Sequence, residues 1–328
     1  MGLLRIQTDS PLEGWSLGIP LEVARSFLKE HADLLVGQNP LNRERIWLDL
    51  VDREIPNPIR AHIDVALWDL AAKSVGLSVR RMIGGFRSEI AACMSPVSTE
   101  TSTVLEATHA QKAGFNGYKV RCASTVADTS DLILEIRQAV GHDFYIMVDG
   151  AQQFSADDAL LLGRVLDGSD VYWFENPLNE ADHGAYERVA AALDTPLAVT
   201  ALSSRHVSKL LSGAESDMVI ASAPLSGGIT DILKMGRAAE AFGVSCLLGG
   251  HGVSHGFAHA HILGAMKNAP FFEAAQPGAI EESPYITNPL KIESGRLKIP
   301  DTQGLGIIVN WPTVDEDTAR ILSTRTGQ

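Results

Sequence analysis

Long apolar runs are missing from this chain: no segment approaches the roughly 18 uninterrupted apolar residues of a membrane-spanning helix. Residues 1–20 carry Asp9, Glu13 and Gly14 instead of a basic start followed by an apolar stretch, so no signal peptide is expected. Cysteine is scarce. Cys93, Cys122 and Cys246 are odd in number and show no paired spacing, which suits a reducing compartment, the cytoplasm, better than a disulfide framework. Positive charge is short as well. With 27 Lys and Arg against 40 Asp and Glu, the net charge of -13 disfavours non-specific binding to nucleic acid or to an anionic membrane, and no basic cluster offsets it. No low-complexity linker interrupts the chain. What is present is ordinary globular composition, 45% hydrophobic and 20% charged over 328 residues, enough for one large barrel with an appended element.

The pattern changes near residue 90. Before it, Leu3 to Gln7 followed by Ser10 to Gly14 reads as a short strand and turn, and residues 21–36, 41–53 and 58–76 have helical apolar spacing. From Ala91 onward, short apolar or β-branched runs are each followed by ten or more helix-like residues, the signature of repeated βα units. Eight strands are expected near 91–97, 117–121, 144–149, 171–175, 197–201, 217–222, 244–249 and 270–274. The proline-punctuated stretch from Gly278 to Pro312 is expected to fold back onto the front piece. The division is therefore residues 1–90, completed by 278–328, and a barrel over 91–277.

The charged residues sit where such a barrel would use them. Lys119 and Arg121, Asp149 and Glu175 end three successive apolar runs, and strand ends converge on one face of a (β/α)8 barrel. A lysine desolvated beside Arg121 would have its ammonium disfavoured and its pKa lowered, which suits a general base. Arg121 could instead bind a carboxylate. Asp149 and Glu175 are hard oxygen ligands suited to Mg²⁺, which leaves positions open for a substrate carboxylate. Together these groups point to proton abstraction alpha to a carboxylate, with the metal as Lewis acid. Any one of them alone would read as a solvated rim charge or a structural ion pair.

The chain resembles the enolase superfamily, in its mandelate racemase and muconate lactonizing enzyme branch. The likeness rests on Asp64 to Lys73 with Gly84 and Gly85 after it, Lys119-Val-Arg121, Val148-Asp149, Trp173-Phe-Glu175-Asn-Pro177, Gly227-Gly228-Ile-Thr230 and Gly304-Leu-Gly306, in that order. It implies an α/β fold: a modified (β/α)7β barrel with an α+β capping domain, here incomplete at its N-terminus. It also implies Lys119 as a base or acid with Arg121 as its second cation, and Asp149 and Glu175 as ligands of Mg²⁺. His251 is the candidate for the histidine that faces the lysine, and Glu273 resembles the acidic group that hydrogen-bonds the enediolate oxygen. The implied activity is dehydration of a hydroxy-acid or acid sugar. Racemisation or epimerisation, or a catalytically degenerate homologue serving as a binding or oligomer subunit, are the alternatives.

Several positions depart from the resemblance. Counting onward from Glu175 by the 26 residues that separate it from Asp149 reaches Ala201, where a third metal carboxylate is expected, so metal binding should be weak. Ser222 stands where the branch carries an acidic residue or a lysine, and Ala151 where an amide is usual. His259 and His261 read as helix packing or surface residues. By the same resemblance about two further strands and a specificity loop would precede Leu3. Met1 therefore falls inside the expected sheet: either the sequence is truncated there or an exposed edge remains that invites association, and a homo-oligomer acting on a small carboxylate is expected.

Overall fold

The structure is a computed structural model that describes residues 2–95, 102–179, 181–250, 252–276, 279–280 and 283–326. Strands β1 (Gly2–Gln7) and β2 (Glu13–Ile19) form an antiparallel hairpin at the front of the chain. Strands β3 (Glu89–Met94), β4 (Gly117–Arg121), β5 (Tyr145–Asp149), β6 (Val171–Glu175), β7 (Leu197–Thr200), β8 (Met218–Ala221) and β9 (Ser245–Leu248) then pair in sequence order, all parallel. Strand β10 (Phe272–Ala274) returns to pair with β3, giving the eight expected strands. Strands β11 (Ala279–Ile280), β12 (Leu290–Glu293) and β13 (Arg296–Lys298) extend the sheet antiparallel from the first residues of β3. No helix of the described residues is long and apolar enough to cross a membrane.

Local chemistry explains the alternation. Thr103, Thr125, Ser155 and Ser203 each accept a hydrogen bond from a backbone N–H three residues on, so the helices of the barrel start where a hydroxyl can satisfy an orphan donor. The strands bury side chains on both faces, because one face meets those helices and the other fills the barrel. Cys93, Met147, Trp173, Ala198, Ile220, Leu247 and Phe271 pack together inside. The front helices are close to expectation at Arg43–Asp52 and Asn57–Ser74, but the first ends at His31, whose backbone (φ -139°, ψ 13°) leaves the helical region before a single 3₁₀ turn.

The helix Asn57–Ser74 has no solvent face over most of its length. Nearly every residue from Ile59 to Ala72 is buried, because the hairpin covers one side and the barrel the other. Two carboxylates on it lock the layers together. Asp69 accepts from Leu305 N at 2.8 Å and from Trp15 N at 3.3 Å, and pairs with Lys73. Asp64 accepts from the backbone N of Thr230 at 2.9 Å and from its hydroxyl at 2.5 Å, while Trp68 Nε1 donates to the same Oγ1 at 2.9 Å. Burial pushes the Asp64 carboxyl up to about 7, so its bonds to Thr230 are what make the charge tolerable.

That lock explains Gly227-Gly228. A Cβ on Gly228, whose φ is +114°, would stand 2.4 Å from Asp64 Oδ2 and 2.6 Å from Asp64 Cβ. Gly228→Ala is therefore expected to lower the melting temperature by at least about 4 °C, from the strained backbone and the displaced buried carboxylate together. An unchanged melting curve would show that the segment is not held against the helix.

Candidate active site

Strand alternation builds the site. In a β-strand successive side chains point to opposite faces, so the residue two past each barrel-filling side chain points inward again, one layer higher. Above Cys93, Met147, Trp173, Ala198, Ile220, Leu247 and Phe271 stand Ser95, Asp149, Glu175, Thr200, Ser222, Gly249 and Glu273, with Lys119 and Arg121 from β4. All of them line one cavity of about 290 Å³ at the C-terminal ends of the strands. A larger cleft of about 460 Å³ lies in the capping region between β1 and Leu28, but its mostly apolar lining offers no convergent set of acids and bases. The smaller cavity is the chemical one.

Lys119 is its centre. The ammonium donates to both oxygens of Glu175, at 3.0 and 3.2 Å, and to Glu273 Oε2 at 2.9 Å. All three side chains are at most 10% exposed. Trp173 Nε1, from below, donates to Glu175 Oε2 at 3.3 Å. Arg121, with its side chain 36% exposed, reaches Asp149 Oδ2 at 3.4 Å, and Asp149 Oδ1 accepts from Ala151 N at 2.9 Å. Glu273 Oε1 is buried with no hydrogen-bond partner among the described residues.

Three carboxylates thus face two cations, and the excess negative charge sets the electrostatics. Burial opposes the Lys119 ammonium, yet Glu175, Glu273 and Asp149 together outweigh it and hold its pKa above the ordinary lysine value. The expectation of a lowered pKa is reversed, because Arg121 turns to Asp149 and the nearest charges are anions. Glu175 also binds its proton more tightly than an ordinary glutamate. Desolvation is the main cause, and Asp149 and Glu273 add to it against the attraction of Lys119.

Lys119, Arg121, Asp149, Glu175 and Glu273 are brought together. His251 lies outside the described residues, although its neighbour Gly250 lines the cavity. Ala201 does not face the site. It is fully buried in the outer core, with its N–H on Ile220 O at 2.8 Å, and Thr200, one residue earlier, takes the inward position. Counting residues from Glu175 missed this because the loops between strands vary in length, whereas alternation above Ala198 identifies Thr200 directly. Ser222 lines the cavity as a hydroxyl. His255, His259 and His261 are buried packing residues: His259 Nε2 accepts from Ala223 N at 3.0 Å, and His261 bridges Arg80 N and Leu305 O. Ser95 and Thr200 carried no sequence signal beyond their place in a strand.

The donor set can take a divalent cation. Asp149 and Glu175 are partners in the β5–β6 register, and their oxygens, with Glu273, leave negative charge that two cations do not balance. Among the described residues no group of three or more His, Cys, Asp and Glu side chains is arranged to enclose a metal. Two hard carboxylates suit Mg²⁺, which keeps several waters and binds substrate oxygens rather than filling an all-protein cage.

Comparison with known proteins identifies the family. The family described as Enolase C-terminal domain-like matches residues 103–313, and the Mandelate racemase / muconate lactonizing enzyme, N-terminal domain matches residues 1–84. L-talarate/galactarate dehydratase of Salmonella typhimurium is 29% identical over 296 residues, covering 86% of this chain and 72% of that protein. N-succinyl-L-Arg/Lys racemase of Bacillus cereus is 27% identical over 301 residues, covering 87% and 78%. Among solved structures, D-glucarate dehydratase from Agrobacterium tumefaciens complexed with magnesium superposes with a TM-score of 0.85 at 26% identity, covering 96% of this chain and 89% of that one.

The Lys119 pairing is open to test without any substrate. Lys119→Met leaves Glu175 and Glu273 buried without their shared cation and should cost about 3 kcal/mol of stability. Glu175 in the fold already binds protons more tightly than in the unfolded chain, so its contribution falls as pH rises from the carboxylate range toward neutrality. In Lys119→Met that fall should steepen, and adding Glu273→Gln should recover part of the loss. Denaturation curves at pH 5 and pH 8 that match wild type would remove the pairing.

Proposed function

The chain belongs to the mandelate racemase and muconate lactonizing enzyme branch of the enolase superfamily, and on that premise we propose that its barrel cavity abstracts the alpha proton of a carboxylate substrate. Dehydration of a hydroxy-acid or acid sugar is the outcome we assign. The observation that carries this reading is the lysine held between two buried glutamates, with a second cation at the mouth. Dehydratases and a racemase among the relatives support the reaction class. The hydroxyls of Ser95, Thr200 and Ser222 on the cavity wall suit a polyhydroxylated substrate, and Ser222 offers no base of its own, which favours elimination over a two-base racemisation.

Each residue then has a task. Asp149 and Glu175 would hold Mg²⁺, which when bound stabilises negative charge on substrate carboxylate oxygens. Arg121, about a third exposed and only loosely paired, is placed to receive a substrate carboxylate as it enters. Glu175 and Glu273 hold Lys119 as the ammonium, so it must first release a proton to solvent, once one of them is engaged elsewhere, before its amine accepts the alpha proton. Returning that proton to the departing β-hydroxyl completes the elimination as water. Glu273 Oε1, buried and unpaired, is the acceptor available to a substrate hydroxyl. His251 is retained as a candidate acid on the basis of the family resemblance alone.

The test is isotopic. With Mg²⁺ and an acid sugar such as galactarate in D₂O, deuterium should enter the alpha position or the product, and Lys119→Ala should slow this by at least about a hundredfold. Glu175→Gln should raise the Mg²⁺ concentration required. Exchange at the wild-type rate in Lys119→Ala would overturn the assignment of the base.

A further inference from the structure

Thr200 stands at the inward position of β7 next to the Glu175 strand, where its hydroxyl is held in an unusual way. Its backbone N–H lies 2.8 Å from one side-chain atom of Asn176, and its Oγ1 lies 2.8 Å from the other. An N–H can only donate, so the first atom is Oδ1, and the second is therefore Nδ2, a donor. Thr200 Oγ1 is thus an acceptor in this pair. The backbone of Asn176 is fixed, its N–H tied to Ala198 O at 2.9 Å and its carbonyl accepting from Gln152 N at 2.7 Å, so the two bonds to Thr200 are what orient its amide. Asn176 holds φ +38° there.

The hydroxyl proton of Thr200 and one of its two lone pairs remain. Among the described residues no acceptor is recorded for the proton, and the side chain lines the cavity beside Asp149 and Glu175. A metal ligand must present a lone pair. Asn176 uses one of the two lone pairs, and the adjacent Asp149 and Glu175 are the charged oxygens that a hard cation prefers to the remaining one, whereas the proton can be used only by an acceptor oxygen. We infer that Thr200 is a substrate-binding residue that donates a hydrogen bond to an acceptor oxygen of the substrate, a carboxylate oxygen by preference, and is not a ligand of the metal. This rests on the carboxylate-binding function proposed above. It turns a position beside two acidic strand ends from an acceptor into a donor, and so draws an anionic oxygen toward the β7 side of the cavity.

Calorimetry separates the possibilities, with oxalate as the probe because all its oxygens are acceptors. In the presence of Mg²⁺, wild type should bind oxalate, Thr200→Val should bind it at least about tenfold more weakly, and Thr200→Ser should recover to within about twofold. Mg²⁺ alone should bind Thr200→Val as it binds wild type. Equal oxalate affinity in Thr200→Val overturns the assignment while leaving the proposed function intact, and an equal loss in Thr200→Ser overturns it by making packing the cause. Loss of Mg²⁺ affinity in Thr200→Val would make the hydroxyl a ligand. Failure of the wild type to bind oxalate would overturn the carboxylate-binding function and this assignment with it.

Discussion

One ammonium between two buried glutamates organises the mouth of this barrel. Without Lys119, Glu175 and Glu273 would stand close to one another in a site from which water is largely excluded, and burying such charges unpaired costs several kcal/mol each. With it, both carboxylates share one cation and are fixed in direction, and Asp149 is left to Arg121. Reactivity is stored in the imbalance: three acids and two cations make a cavity that favours the arrival of another positive charge. The same imbalance keeps the lysine protonated until something else engages its partners.

Much of this was legible in the chain. The eight strands and the placement of Lys119, Arg121, Asp149 and Glu175 at their ends follow from short apolar runs separated by helical stretches, and strand ends converge in any such barrel. Two readings needed the third dimension. Ala201 was reached by counting residues, but spacing along the chain includes the loops, and only the alternation Ala198, Thr200 within β7 says which residue faces inward. The direction of the Lys119 pKa was misjudged because Arg121 is its neighbour in sequence, whereas Glu175 and Glu273 are its neighbours in space. Glu273, 154 positions from Lys119, could be suggested by family resemblance but its contact with the lysine could not be read locally.

The capping layer contributes by holding the rim. The helix Asn57–Ser74 carries Asp64 to Thr230 and its first residue, Asn57, to the carbonyl of Leu225, so the turn that follows Ser222 on the cavity wall is pinned from outside the barrel. Glycine at 228 is the condition for that approach. Precision at the site is thus built in two shells, with buried aromatic and aliphatic side chains beneath the carboxylates and a cap-side lock around the loops above them.

The charge state of Lys119 decides the matter most directly. Selective ¹³C labelling of lysine Cε, with the Lys119 resonance identified by its loss in Lys119→Arg, would follow this one amine through a pH titration of the metal-free protein. Shared by two buried carboxylates, it should still be in the ammonium form at pH 10.5, where an ordinary lysine is half titrated. A neutral amine near pH 8 would contradict the shared ion pair and would mean that burial, not the carboxylates, governs the site.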